Sequence, residues 1–126
     1  MIWIPFFLFL GALAAFSVEN PSNLVLHFFG SPTCQDCMEI KERILFPAQK
    51  ANADLLQLYI HDVESDSGYQ LLMEMEETYG VTTSSAIELF FPDTFLTGNH
   101  DILSQANGLI DRYLTKLRKM KSVKGG

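Results

Sequence analysis

The sequence predicts a single α/β domain with a central mixed sheet flanked by helices. Apolar runs rich in β-branched and aromatic residues alternate along the chain with stretches of helical periodicity. The resulting order is strand, helix, strand, helix, two strands joined by a tight turn, and a last helix. Strands linked through a helix are normally parallel, whereas strands linked by a tight turn are antiparallel. Because both kinds of link occur, the predicted sheet is mixed.

Size and composition limit the classes of protein that fit. The chain has 126 residues, which allows one domain with a modest core. Hydrophobic residues make up 48% of it and charged residues 19%, as in globular rather than disordered proteins. The formal net charge is -6, so the surface has no general basic footprint, and we expect no nucleic-acid partner.

Residues 1–18 are almost wholly apolar, and no charged side chain precedes Glu19. Small residues close this run, as they do before the cleavage site of a secretory signal peptide. The run is also just long enough to span a bilayer, so an uncleaved N-terminal membrane anchor is the alternative. Either interpretation predicts an extracytoplasmic domain, periplasmic or secreted, in a compartment where disulfides persist.

Residues 22–119 form the predicted domain, and residues 120–126 a flexible basic tail. The first strand covers 24–29 and is broken by a Gly-Ser-Pro turn. A helical pattern follows over 35–51, in which Pro47 is expected to kink the helix or end its first segment. Residues 55–63 form the second strand, which should lie parallel and adjacent to the first.

The second half of the domain begins with a helix over 69–79, capped by Asp66 or Ser67 and closed by Gly80. Strand 86–91 then turns into a short return strand, 94–97, to give a β-hairpin. The last helix is expected to begin at Asn99 or Asp101. Within the third strand, Glu88 stands among apolar neighbours, and we expect it to face solvent at a sheet edge.

Cys34 and Cys37, the only cysteines of the chain, stand between the first strand and the first helix. At a helix start the first cysteine lies near unpaired N–H groups, which favour its thiolate. The second lies one turn further on, close enough to form a disulfide. An inert disulfide or two free thiols is one alternative. A metal site is another, although His27, His61 and His100 lack the paired spacing of a closed zinc site.

Two stretches in this element order resemble those of small exported thioredoxin- or glutaredoxin-like proteins, and the resemblance covers residues 24–117. The stretches are Phe28-Phe29-Gly30-Ser31-Pro32-Thr33-Cys34-Gln35-Asp36-Cys37 and Asp93-Thr94-Phe95-Leu96-Thr97-Gly98. The resemblance implies a thioredoxin-like fold and a thiol–disulfide oxidoreductase that reduces or isomerises disulfides of other exported proteins. Cys34 would attack the substrate disulfide and Cys37 would resolve the mixed disulfide. It further implies protein disulfide or dithiol substrates, a separate redox partner, no cofactor, no metal and a monomer.

The resemblance also implies a substrate groove formed by two segments. Pro32 and Thr33 belong to the first, and residues Ser85, Ala86 and Ile87 to the second, where the family usually has a cis-proline. No proline lies between positions 47 and 92, so Ser85 or Ile87 occupies that position, and we expect a trans peptide there. This departure keeps open a competing hypothesis, a non-enzymatic thioredoxin-like module that binds a protein partner or a soft metal through the same face.

Gln35 and Asp36, the residues between the cysteines, are expected to tune the redox poise. An ionised Asp36 repels a thiolate on Cys34, which predicts a relatively reducing pair. The alternative is that Asp36 merely favours the helix start. Phe28 takes the place of the buried aspartate of typical thioredoxins, and strand alternation points His27 to the opposite face.

Overall fold

The computed structural model describes residues 23–83 and 85–125. Its strands are β1 (Leu24–Gly30), β2 (Leu56–Asp62), β3 (Glu88–Phe90) and β4 (Phe95–Thr97). The first helix, α1, is continuous over residues 35–51; it consists of an α-helical segment Gln35–Ile40, a π-helical turn Lys41–Leu45 and an α-helical segment Phe46–Ala51. Helices α2 (Asp66–Tyr79) and α3 (Asn99–Gly125) complete the described part.

The structure describes the C-terminal end of the chain up to residue 125 but not the N-terminal end. The predicted signal or anchor segment, 1–18, lies outside the described residues. Among the helices of residues 23–83 and 85–125, none has both the length and the apolar character that crossing a bilayer requires. At the other end, α3 continues as a helix to Gly125 and includes most of the segment 120–126. The domain limits stay a prediction.

The four strands form one mixed sheet in the order β2-β1-β3-β4. β1 runs parallel to β2, from Leu24 opposite Leu56 to Gly30 opposite Asp62. β3 runs antiparallel to both β1 and β4. The predicted parallel pair, the hairpin and the mixed α/β sheet are therefore confirmed. Since β1 is an inner strand, the segment that leaves its carboxyl end starts in the middle of the fold.

Side chains alternate between the two faces of the sheet, and each face has its own core. The core on the side of α1 and α3 contains Leu24, Leu26, Phe28, Ile40, Leu89, Ile102, Ala106 and Ile110. Cys37 belongs to this core. On the opposite face Phe29 and Phe90 pack with Leu72 of α2. The cysteine pair and helix α2 therefore lie on different sides of the sheet.

Pro47 interrupts the regular hydrogen bonding of α1. Proline has no N–H to donate to the carbonyl four residues earlier, and its ring crowds that carbonyl. Just before it the chain widens, since the N–H of Phe46 donates to the carbonyl of Lys41, five residues back. This π-helical turn absorbs the misfit within a continuous helix. The sequence predicts that Pro47 kinks the helix or ends its first segment; in the structure the chain stays helical past Pro47, and a π-helical turn precedes it.

The ends of α2 are fixed by one side chain and one glycine. Ser65 caps the start, where its Oγ accepts the N–H of Gly68 at 3.0 Å. The predicted caps, Asp66 and Ser67, are wrong, because the extended backbone of Ser65 already turns into the helix at the next residue. Gly80 closes the helix with φ at 72°, a left-handed conformation that glycine adopts without strain, as predicted.

The third strand differs most from its prediction. It is limited to three residues, and Glu88, expected to face solvent at an edge, is fully buried. The reason is the strand order, because β3 lies between β1 and β4 and is therefore an inner strand. The partner of Glu88 on β1 is Phe29, which belongs to the core on the α2 side. A carboxyl group is therefore enclosed between the sheet and α2.

Candidate redox site

Cys34 and Cys37 are joined by a disulfide at the start of α1, with their Cα atoms 5.2 Å apart. Cys34 is the N-cap residue; its backbone is extended, with φ at -82° and ψ at 120°. Its side chain is partly exposed, whereas Cys37 is 1% exposed. The two sulfurs thus differ in access, and a large reactant can approach Cys34 but not Cys37.

The start of α1 also provides a hydrogen bond to the more exposed sulfur. The N–H of Cys37 donates to Sγ of Cys34 at 3.0 Å. In the reduced protein this donor and the positive end of the helix dipole both favour a thiolate over a thiol. The sequence predicted this arrangement from the position of Cys34 directly before a helical pattern.

Gly30, the last residue of β1, lies against the buried cysteine. A Cβ atom on Gly30 would stand 2.7 Å from Sγ of Cys37 and 3.3 Å from its Cβ. It would also meet the ring of Phe28 at 3.3 Å. Only a glycine leaves room for the disulfide at this distance. Sequence reasoning treated Gly30 as a strand breaker and missed this contact.

The turn between β1 and α1 is held by hydroxyl groups. The N–H of Thr33 donates to Oγ of Ser31 at 3.3 Å, and the N–H of Cys34 donates to the carbonyl of Ser31 at 3.2 Å. Oγ of Ser31 also donates to the carboxylate of Glu64, in the loop after β2. Pro32 and Thr33, assigned to the groove from the sequence, are exposed on this turn. Glu64 was not identified from the sequence, since it lies 33 residues away.

The residues of the second predicted groove segment, 85–87, lie on opposite sides of the sheet. β3 pairs with β1 so that Glu88 lies opposite Phe29. Continuing this register one residue beyond the strand places Ile87 beside Gly30. Ile87 packs against the same core as Cys34. Ser85 and Ala86, by contrast, line a depression on the α2 side of the sheet. Ile87 is therefore the residue of this segment that lies on the same side of the sheet as the disulfide.

The peptide bonds of this segment follow the expectation from the sequence. Every peptide bond among the described residues is trans, including the one that leads into Ile87. Gln35 and Asp36, between the cysteines, are both exposed on the first turn of α1. Their side chains thus stand in water next to Cys34.

Comparisons of the chain with protein-family models, with curated proteins and with solved structures find no match. The site is a Cys-x-x-Cys disulfide at a helix start, in a small α/β protein with a mixed sheet. This arrangement is compatible with a thioredoxin-like fold and with redox function.

A second group of ionisable side chains lies on the opposite face. Nδ1 of His27 and Nε2 of His61, on neighbouring strands, are 2.9 Å apart and share a hydrogen bond. The ring of Tyr59 stacks on His27, and that of Phe29 on His61. Burial lowers the pKa of both histidines, and the charge of His27 lowers the pKa of His61 further. His27 thus lies on the face opposite the cysteines, as predicted, and has His61 as its hydrogen-bond partner.

The described residues contain no cluster of side chains suited to a metal ion. Within residues 23–83 and 85–125, no three side chains of the histidine, cysteine, aspartate or glutamate type come together in such a group. Each histidine of the pair has the other as its hydrogen-bond partner.

Proposed function

We propose that the protein is an exported thiol–disulfide oxidoreductase with a thioredoxin-like fold, which reduces or isomerises disulfides of other exported proteins. One observation carries the proposal. A partly exposed cysteine at a helix start is bonded to a buried cysteine and accepts an N–H hydrogen bond from it. This is the environment that lowers the pKa of an attacking thiol while protecting a resolving one.

The proposed reaction begins with the reduced pair. The Cys34 thiolate attacks one sulfur of a substrate disulfide; the S–S bond of the substrate breaks, and its other sulfur leaves as a thiolate that takes up a proton. The Cys37 thiol then loses its proton and attacks Sγ of Cys34, which releases the second substrate thiol. The substrate gains two electrons and two protons, and the protein is left with its disulfide. A dithiol partner, which would donate the two electrons back, completes the cycle.

The fold supports the proposal as well. The described elements follow the order expected for the thioredoxin-like resemblance, with a strand–helix–strand unit first, then a helix, a hairpin and a last helix. Cys34 follows the carboxyl end of the inner strand β1 and is partly exposed there. The apolar segment 1–18 supports export.

The test is a redox titration combined with a trapping experiment. We expect the pair to equilibrate reversibly in glutathione and dithiothreitol buffers, and the reduced protein to reduce insulin. Cys34→Ser should abolish insulin reduction. Cys37→Ser should instead accumulate a mixed disulfide at Cys34, because the resolving thiol is missing.

A different outcome would favour the competing hypothesis. A pair that never cycles in these buffers, with no mixed disulfide formed by the Cys37→Ser variant, contradicts the enzyme proposal. The chain would then be a binding module for a protein partner or a soft metal. Export is tested separately, by fractionating cells that produce the full chain.

A further inference from the structure

The turn that leads into β3 is held by the buried carboxyl group of Glu88. Oε2 of Glu88 accepts the N–H of Ser85 at 2.9 Å. Oγ of Ser85 in turn accepts the N–H of Ile87 at 3.2 Å. We refer to residues 85–87 as the rim turn. Its backbone therefore receives its shape from two side chains of its own segment.

The rim turn is connected to the cysteine pair through β1. The register of β1 and β3, continued one residue beyond β3, places Ile87 beside Gly30, and a Cβ on Gly30 would stand 2.7 Å from Sγ of Cys37. On its other side, the carbonyl of Ile87 accepts the N–H of Gly98 at 2.8 Å. A shift of the rim turn would therefore displace atoms of β1 next to the disulfide. Ile87 and Cys34 pack against the same core, so the rim turn ends on the side of the sheet that holds the disulfide.

Glu88 is an unusual choice for a purely structural role. Its side chain is 0% exposed, and burial together with a hydrogen bond to Glu76 raises its pKa to about 8. Both causes favour the neutral form of the carboxyl group. A leucine would fill the same space without the cost of burying a polar group.

We propose that Glu88 is a positioning residue, which holds the rim turn in the conformation that receives a polypeptide substrate beside Cys34. The inference rests on the proposed oxidoreductase function and adds to it a residue that acts through the turn. Glu88 itself lies on the α2 side of the sheet and does not contact the cysteines. Its effect should therefore depend on the size of the substrate.

A small disulfide needs only Sγ of Cys34, whereas a polypeptide disulfide also contacts the surface around it. Releasing the rim turn should thus slow exchange with a polypeptide and leave exchange with a small disulfide unchanged. Ionisation of Glu88 should have the same effect, because the cost of burying a carboxylate outweighs its stronger bond to the N–H of Ser85. Other titratable groups of this face are His61, which is separated from Glu88 by the ring of Phe29, and His27 and Tyr79, which lie next to Phe90. Tyr59 stacks on His27, and Tyr69 of α2 lines the same depression as Ser85.

The experiment compares two substrates in single-turnover oxidation of the reduced full chain. Insulin serves as the polypeptide disulfide and oxidised glutathione as the small one. The ratio of their rate constants cancels the ionisation of Cys34, which both reactions share. The variants are Glu88→Leu, which removes the acceptor, and Glu88→Gln, which keeps an acceptor but cannot ionise. Glu77→Gln, an exposed position on α2, is the matched control.

We expect Glu88→Leu to lower the insulin rate about tenfold at pH 7 and to leave the glutathione rate unchanged. In the wild type, the ratio should fall about tenfold between pH 7 and pH 9, as a group with a pKa of about 8 loses its proton. In Glu88→Gln the ratio should stay level over this range, and Glu77→Gln should behave as the wild type.

Three results would overturn the inference. One is an equal loss of both rates in Glu88→Leu, which indicates general damage to the fold. Another is no loss of either rate. The third is a ratio in Glu88→Gln that falls with pH as in the wild type, and this arm decides alone if Glu88→Leu does not fold. A wild type that exchanges with neither substrate refutes the proposed function itself, which is a separate outcome.

Discussion

Replacing Gly30 by alanine should make the Cys34–Cys37 pair a stronger oxidant. The added Cβ would lie 2.7 Å from Sγ of Cys37, a distance that real Cβ atoms do not tolerate. In the oxidised protein this sulfur is bonded to Cys34 and cannot move away. In the reduced protein the Cys37 thiol can change its rotamer. The substitution therefore destabilises the oxidised state more than the reduced one.

The size of the effect follows from the cost of overpacking. Forcing an extra methyl group into a well-packed site typically costs about 1–3 kcal/mol. For a two-electron couple, about 30 mV corresponds to 1.4 kcal/mol. If the strain falls wholly on the oxidised state, the reduction potential should rise by about 20–60 mV. The backbone of Gly30 adds nothing to this cost, because its φ is not in the left-handed region.

The potential is measured by equilibrating each variant in glutathione buffers and separating the two forms after alkylation. Gly108→Ala is the matched control, because a Cβ at Gly108, on α3, meets no atom within 4 Å. That control should leave the potential unchanged and stabilise the helix by about 0.5–1 kcal/mol. The unfolding free energies of both redox forms of Gly30→Ala are measured as well.

The reasoning would be refuted by a potential that stays unchanged or falls. It would also be refuted if Gly30→Ala destabilised the oxidised and reduced forms equally. In that case the strain would lie in the strand or against the ring of Phe28, and the disulfide would have no special share in it.

Four further predictions concern the charge beside the pair and the groups on the α2 side. Asp36→Asn should raise the reduction potential by only about 5–20 mV, the range for an exposed charge. The pKa values of His27 and His61 are lowered in the folded state, so their contribution to stability is present above the unfolded value of 6.5 and is lost as the pH falls below it. His61→Phe should therefore reduce the loss of unfolding free energy at acid pH, measured by urea titration. The raised pKa of Glu88 has the opposite effect: its contribution to stability is present below the unfolded value of 4.5 and is lost as the pH rises through about 8. Glu88→Gln should therefore reduce the loss of unfolding free energy at alkaline pH in the same assay. Ser65→Ala should lower the free energy of unfolding by about 1 kcal/mol, measured by urea titration, because a helix loses its cap.

The architecture could be predicted because each step depends on neighbouring residues. A strand–helix–strand unit fixes the parallel pairing of β1 and β2, and the Pro92-Asp93 turn fixes the hairpin. Gly80 was identified correctly because a helix end needs a left-handed residue. The cap of α2 was misplaced, since Ser65 and Ser67 are chemically equal and only the backbone conformation distinguishes them.

The site could be predicted only as far as it is local in sequence. Cys34 and its helix start follow from a spacing of a few residues. The contacts of Gly30 with Cys37 and of Ser31 with Glu64 depend on how the elements pack, and no pattern indicates them. Glu88 was placed on the surface because a charged residue in a short strand is usually exposed.

Three influences act on the redox poise of the cysteine pair, and the geometry ranks them. Asp36 is exposed, so water and salt screen its repulsion of the Cys34 thiolate. The N–H of Cys37 acts on the same sulfur from 3.0 Å and favours the thiolate, which only the reduced state contains. Gly30 acts on the other side of the equilibrium, because the space that it leaves beside Cys37 lets the oxidised pair fit. Direct contacts with the two sulfurs outweigh a charge that water screens. If the pair has a low reduction potential, Gly30 would therefore contribute more to it than Asp36.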